Sequence, residues 1–416
     1  MTHSMTGARR IRRSAVATVA CGAAATLAVS AFGVPAHAAA PENPGNFEIK
    51  ADGYYGTFRF DFGGDVPIAG SVPDLEGNAT VGMVQNEVNS EGIEGQDGDV
   101  YSRSIGSLID ASAMDTEIPT HFYAAEQVAL PEKADPDTVG VHDLGVPGIG
   151  NLRGISSEVK ANWNDDVLGH GSQGGVLTEL YSGVGQLDLV DAGEVGQLSG
   201  ILSSMAPVDL PVGDGPLFSM GEGQLLQESG VFGKEDGSQG AYLEVSGRFS
   251  DLNLLGGAEN GGITVGLAAA SDTEEPNAWG RLEATGEPGG ASFDYELPAL
   301  ELQVGGQEGV EIEPGFDETF EVLPGVSVNI NFADYRDDDI EVADDGTYVA
   351  ASGGGLSARL IFSLPVPVAG DIELGHAEMG ILSFPEASVE VPQGGLYADG
   401  GDDEDDDDHE VLGVTN

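Results

Sequence analysis

Thr57-Phe58-Arg59-Phe60-Asp61-Phe62 leads into Val66-Pro67-Ile68-Ala69-Gly70, and at a constant offset of 300 Ser357-Ala358-Arg359-Leu360-Ile361-Phe362 leads into Val366-Pro367-Val368-Ala369-Gly370. Apolar and polar residues alternate in the first copy, the period of a strand that buries one face. Proline cannot donate to a ladder, so each Val-Pro pair marks a turn or an edge. With a slip of two residues, Gly77-Asn78-Ala79-Thr80-Val81-Gly82-Met83-Val84 then resembles Gly375-His376-Ala377-Glu378-Met379-Gly380-Ile381-Leu382. Each copy reads as strand, turn, strand: two related β domains, or two equivalent hairpins in one pseudo-symmetric domain. A strand's side chains alternate between faces, so Phe58, Phe60 and Phe62 should share a buried face, and Ala358, Leu360 and Phe362 the corresponding one.

Similar alternation continues outward from these copies, at Tyr242 to Val245, Phe293 to Leu297 and Val326 to Phe332. Leu300 to Val304, Thr347 to Ala351, Leu356 to Leu364, Ile372 to Ile381 and Ser388 to Val391 are further strand candidates. The 64 Gly and 21 Pro interrupt long helices and favour short strands joined by turns. The expected class is mainly β, with one or two antiparallel β-sandwich-like domains and a less regular Gly-rich middle region. Along the chain this predicts a signal peptide (1–38), an N-terminal β segment (39–101), an irregular Gly-rich bridging region (102–239), a C-terminal β domain (240–398) and an acidic disordered tail (399–416). Within the bridging region, short helices are expected at Val176 to Tyr181 and around Val195 to Met205.

Arg9, Arg10, Arg12 and Arg13 precede a small apolar run, Ser14 to Val34, and Ala36-His37-Ala38 supplies a small-x-small cleavage site. That order is a secretory signal. Cleavage after Ala38 would leave 416 − 38 = 378 residues without cysteine, because Cys21, the only one, lies inside the apolar run. Disulfides and cysteine-ligated zinc are then excluded. All 71 acidic residues lie beyond the cleavage point and four of the 15 basic ones before it, so the mature formal charge is 11 − 71 = −60. Nucleic acid is a poor partner for such a surface, since phosphate is held by clustered Lys and Arg. No transmembrane segment is expected in the mature chain, and the expected partner is extracellular or in the cell envelope.

Acidity of this degree fits a saline habitat, and it makes a measurable prediction. The melting temperature should rise in a potassium chloride series from about 0.01 M to about 1 M, as the Debye length falls from about 30 Å to about 3 Å. A melting temperature indifferent to ionic strength would remove the argument.

Chemistry is harder to find. Gly169-His170-Gly171-Ser172-Gln173-Gly174-Gly175 approaches the Gly-x-Ser-x-Gly elbow of α/β hydrolases, but His170 stands two residues before Ser172 where glycine is needed. His121, His142, His170, His376 and His409 are isolated, without metal-ligand spacing. Hard-oxygen ligands do gather at Asp334, Asp337, Asp338 and Asp339 and again at Asp344 and Asp345, which makes calcium the candidate ion, and Asp97-Gly98-Asp99 is a smaller cluster. Neither follows the EF-hand pattern. Trp163 and Trp279 are the only tryptophans, so aromatic platforms for sugars are scarce.

The Arg- and Ala-rich signal ending Ala36-His37-Ala38, the opening Gly53-Tyr54-Tyr55-Gly56 and the late strands Leu356 to Gly380 resemble the secreted surface proteins of high-GC Gram-positive bacteria grouped as choice-of-anchor families. No C-terminal anchor of the kind that names those families is visible. The resemblance implies an extracellular location and an all-β, non-catalytic character, and it transfers no functional residue. The expected function is a secreted, acidic, non-enzymatic β protein with a structural or binding role. A secreted hydrolase, serine or carbohydrate-active, and a calcium-stabilised surface module are the alternatives.

Overall fold

A computed structural model describes residues 44–66, 70–96, 99–113, 116–118, 123–130, 133–146, 150–191, 216–268, 278–366, 370–381 and 384–398. The signal segment, the Val195 to Met205 helix, Asp97-Gly98, His121, His409 and the acidic tail lie outside these residues. Contacts gather Ala38–Asn416 into one compact unit, built as two large antiparallel sheets. Among the described residues no helix is long and apolar enough to cross a membrane.

Most strands pair with one of their two neighbours in sequence, and a few with both. The chain enters the first sheet with β1 (Glu48–Val66), β2 (Gly70–Asn89), β3 (Ser102–Ala113), β4 (Thr116–Ile118) and β5 (Ala124–Ala129). It crosses to the second with β6 (Asp137–Val146), β7 (Gly150–Ala161), β8 (Gly174–Val184), β9 (Gln186–Asp191), β10 (Pro216–Met220), β11 (Gly223–Gly233), β12 (Gln239–Phe249), β13 (Leu252–Leu254), β14 (Ile263–Leu267), β15 (Ala278–Ala284), β16 (Ser292–Glu296), β17 (Leu300–Val304) and β18 (Val310–Ile312). It returns to the first with β19 (Phe316–Leu323), β20 (Val326–Ala333), β21 (Ile340–Val342), β22 (Tyr348–Gly353), β23 (Gly355–Val366), β24 (Gly370–Ile381) and β25 (Phe384–Glu390). Strands β24 and β25 run end to end along β1, so the last strands of the chain complete the sheet that the first begins.

The 102–239 region is correspondingly rich in strands. Val176 to Tyr181 is not a helix but the middle of β8, paired on both sides with β7 and β11. Its apolar residues satisfy either period over so short a stretch, and the glycines on either side leave a helix no room to propagate.

The two echoed segments are adjacent hairpins of one sheet, in the order β23-β24-β1-β2. Phe58, Phe60 and Phe62 are buried, as are Ala358, Leu360 and Phe362, so the corresponding faces point inward as expected. The slip of two residues disappears. Phe60 pairs with Gly77 and Leu360 with Ala377, Phe62 with Leu75 and Phe362 with Gly375, and both hairpins end on Val66↔Gly70 and Val366↔Gly370. The offset of 300 thus holds throughout, including an irregularity placed just after Phe62 and Phe362 in the two copies. Phe62 and Phe362 meet with ring centroids 5.4 Å apart, across the β24 backbone at Gly375, where a Cβ would come within 2.5 Å of the Phe62 ring.

A waist crosses both sheets at one level. In the second sheet Gly185 donates to Arg153 O and Ser250 to Glu222 O, where β8 gives way to β9, β11 meets β10, and β12 gives way to β13. In the first sheet the buried set of β1 changes there from Ile49, Ala51 and Tyr55 to Phe58, Phe60 and Phe62, and that of β2 from Ala79 and Val81 to Val84 and Val88. One extra residue in a strand turns every later side chain to the other face. Gly82, at φ +60, is the hinge in β2. Because the partner strands shift together, apolar residues line the interior on both sides of the waist.

The outward residues are polar: Lys50, Asp52, Arg59 and Asp61 on β1, and Glu244 and Arg248 on β12. Apolar-in and charged-out is the reverse of a lipid-facing barrel, whose outer band must be apolar.

Candidate functional site

Antiparallel neighbours satisfy one another's backbone, so a site for something else must lie where the meander stops pairing. Several consecutive strands within a sheet are unpaired with each other, but only at two joints, β5 to β6 and β18 to β19, does the chain also pass from one sheet to the other. The first joint is sealed. Gln127, 1% exposed, donates from Nε2 to Asp135 O at 2.9 Å and accepts from Ala161 N at 2.7 Å, while Ser102 donates to Asn162 O at 2.8 Å.

The second joint is open. After Ile312 a turn brings Gly315, at φ +94, to donate to Phe332 O at 2.7 Å, and β18 and β19 then diverge into opposite sheets. Among the described residues β18 pairs only with β17 and β19 only with β20. Between them is a cleft of about 530 Å³ walled by Leu302, Val310 and Ile312 on one side and Phe316 and Phe320 on the other. Val310 is 61% exposed, and the two phenylalanine rings stack at 6.4 Å.

Register places a charge on the inner wall. Phe316, Glu318 and Phe320 sit opposite Phe332, Ile330 and Val328, all buried on the inward face of β20. Glu318 therefore shares the register of the inward face between two half-buried phenylalanines, although at this edge it is itself exposed, and Glu308 lines the cleft from the other side. Every charged residue from 300 to 323 is acidic, and no Lys or Arg occurs between Arg281 and Arg336. Sequence reasoning did not find this site, although Phe316-Asp317-Glu318-Thr319-Phe320 carries its signal: a charge at an inward strand position belongs at an edge.

The expected calcium ligands fall in two separate turns, where Asp334, Asp339 and Asp345 accept hydrogen bonds. Asp334 accepts from Tyr295 Oη at 3.1 Å and from Tyr335 N at 2.9 Å. Asp337, Asp338 and Asp339 form a 3-10 turn in which Asp339 accepts from Arg336 N at 2.9 Å. Asp345 accepts from Thr347 N and Oγ1, bonds that lower its pKa, and the backbone of Asp344 accepts from Gly289 N. Among the described residues no group of three or more His, Cys, Asp or Glu side chains is placed to hold a metal ion. Millimolar calcium at constant ionic strength is therefore expected to leave the melting temperature where chelator leaves it. A shift at micromolar calcium would reveal a specific site by mass action.

Ser172 serves its own turn. Its Oγ lies 3.1 Å from Asp166 O and 3.2 Å from Val167 O as donor, and accepts from Gly174 N. His376 pairs with Glu373 at 3.3 Å.

A second electrostatic feature lies on the outer face of the second sheet. Pairing aligns Lys160, Glu179, Glu228, Glu244 and Arg281 in one row across five strands. Arg281 binds Glu244 at 2.8 Å and Glu283 at 2.6 Å and stands 4.3 Å over the Tyr242 ring, while Tyr242 Oη donates to Glu228 at 2.7 Å. Burial, joined by the facing Glu244 and Glu179 carboxylates, pushes the Glu228 carboxyl above its ordinary range despite the Tyr242 hydrogen bond and Arg281. Burial raises Glu87 as well.

A carboxyl raised in the folded state contributes stability that is full below its unfolded pKa and is lost as pH rises through the folded one. The melting temperature should therefore climb as pH falls from neutral toward the carboxylate range, then drop once Asp236 and Asp345, whose pKa values are lowered, begin to protonate. Glu228→Gln should flatten the climb. An unchanged slope in that variant would remove Glu228 from the account.

No family model matches this chain, and no curated protein matches it. Among solved structures, a BenF-like porin from Pseudomonas fluorescens Pf-5 aligns at 8% identity over 83% of this chain and 96% of its own, with a TM-score of 0.15. A superposition that low supports no inference about fold or function.

Proposed function

We propose that this is a secreted, acidic, non-enzymatic β protein that acts by binding, at or near the cell surface, and that the open seam between β18 and β19 is its recognition site. The contrast between the two joints carries this reading: one is closed by buried hydrogen bonds, whereas the other leaves a cleft with apolar and acidic walls and, among the described residues, two unpaired edges. Apolar clefts with a few placed polar groups are the usual form of a binding site. The basic, apolar and small-residue order of the first 38 residues supports export, with Ala39 as the first mature residue.

Two measurements test it. Protein recovered from culture medium or cell wall should begin at Ala39 on N-terminal sequencing. Nile red, a neutral apolar reporter, should bind the purified chain with a blue-shifted emission that Val310→Asp abolishes. Val310 is exposed and pairs only at an edge, so the variant should keep its fold. Emission unchanged in Val310→Asp would locate the apolar site elsewhere.

A further inference from the structure

Three features of the seam specify an occupant beyond "apolar". Among the described residues the edge of the eight-residue β19 has no strand paired on its outer side. The inward positions along that edge read Phe316, Glu318, Phe320, and the outward ones Asp317, Thr319, Glu321. The surrounding chain is acidic without a basic residue from 282 to 335.

We infer that the cleft accepts an extended cationic peptide segment that adds a strand to β19. This rests on the seam being the binding site. Main-chain hydrogen bonds to an exposed edge supply affinity, and pockets for alternate side chains supply register. Here the register demands an apolar residue opposite Phe316, a Lys or Arg opposite Glu318, and a second apolar residue opposite Phe320. The residues that face Asp317, between the first two, and Glu321, just beyond the last, are best cationic. Glu318 is exposed between the half-buried Phe316 and Phe320, so an ammonium or guanidinium group can reach it and gain a charge-assisted hydrogen bond. A second copy of this chain fits poorly, because both copies carry a large negative charge.

Glu318 has a competing role as an edge guard. Inward-pointing charges on edge strands prevent sheets from pairing edge to edge. The two roles diverge when the charge is removed.

Fluorescence anisotropy on the full chain in 0.15 M potassium chloride separates them. The probe is a labelled Lys-Val-Lys-Lys-Lys-Val-Lys peptide, compared with Val-Val-Lys-Lys-Lys-Lys-Lys, which has the same composition and charge but the wrong register. Saturable binding of the first is expected, at least about tenfold tighter than the second, and Glu318→Gln should weaken it about tenfold, the scale of losing one charge-assisted hydrogen bond. Amide hydrogen exchange should slow at 316–323 when the peptide binds.

Equal affinity for both peptides would overturn the inference, since attraction to a generally acidic surface would then suffice. Self-association of Glu318→Gln with peptide affinity unchanged would assign the residue as a guard and overturn it too. If Nile red binds the cleft and loses it in Val310→Asp while the peptide fails, only the cationic-strand inference falls. If Nile red fails as well, the binding reading falls with it.

Discussion

Gly223→Ala is expected to destabilise the protein by about 3 kcal/mol, the upper end of the range for overpacking a closed core. A Cβ at Gly223 would stand 1.6 Å from the Tyr55 hydroxyl oxygen and 2.0 Å from Cζ. The ring has little room to retreat. Tyr55 is fully buried at the waist, its hydroxyl 3.3 Å from Met220 Sδ in the opposite sheet, and its own Cβ lies only 2.9 Å from where a Cβ on Gly82 would be. Burial also holds the phenol protonated far above its ordinary range. Urea denaturation of Gly223→Ala, Tyr55→Ala and the double variant checks the mechanism. The double variant should be less destabilised than the sum of the singles, because truncating Tyr55 removes the ring that the added methyl group strikes. A wild-type midpoint for Gly223→Ala would show that the waist is looser than these distances.

Trp163→Ala should cost about 3–5 kcal/mol, as expected for deleting a buried large aromatic side chain. Trp163 is 2% exposed and lies between two rings, Phe47 at 5.8 Å and 7° and Tyr101 at 4.9 Å and 17°. The stack holds together the approach to β1, the approach to β3 and the exit from β7. Offset stacked pairs add about 0.5–1.5 kcal/mol beyond burial, so Trp163→Phe should recover part of the loss and Trp163→Leu less. Tryptophan emission gives an independent readout, since Trp279 is the only other source and is partly exposed. The blue-shifted component should vanish in Trp163→Phe while the fold persists. Loss of less than about 1 kcal/mol in Trp163→Ala would mean that the three segments are held by their backbone ladders alone.

Much of the strand content was legible because alternation is local. Val326 to Phe332 reads as a half-buried strand and β20 buries Val326, Val328, Ile330 and Phe332. Phe293 to Leu297 alternates just as well, yet β16 lies largely exposed, since it is the outermost strand beyond β15 and its Phe293 and Tyr295 lean on Tyr335 instead of a full layer. The middle region reads as irregular because small and polar residues interrupt its buried apolar ones. Ser157, Thr178, Ser182, Gln227 and Ser229 are all buried, among apolar residues such as Ile155, Val159, Leu177 and Leu180, and they break the alternation that a hydrophobic pattern would show.

By itself the sequence determined the β class, the inward faces of the two echoed strands and the strongly acidic character, because each depends only on residues within a few positions of one another or on composition. Only the tertiary structure decided that the two echoed hairpins are neighbours in one sheet, that their register runs without a slip, and that the chain passes unpaired between its sheets at two joints, one sealed by Gln127 and the other left open beside Glu318. Pairing joins residues hundreds of positions apart, and a strand's own alternation is the same whether its edge meets a partner or water. The candidate site lies in that difference.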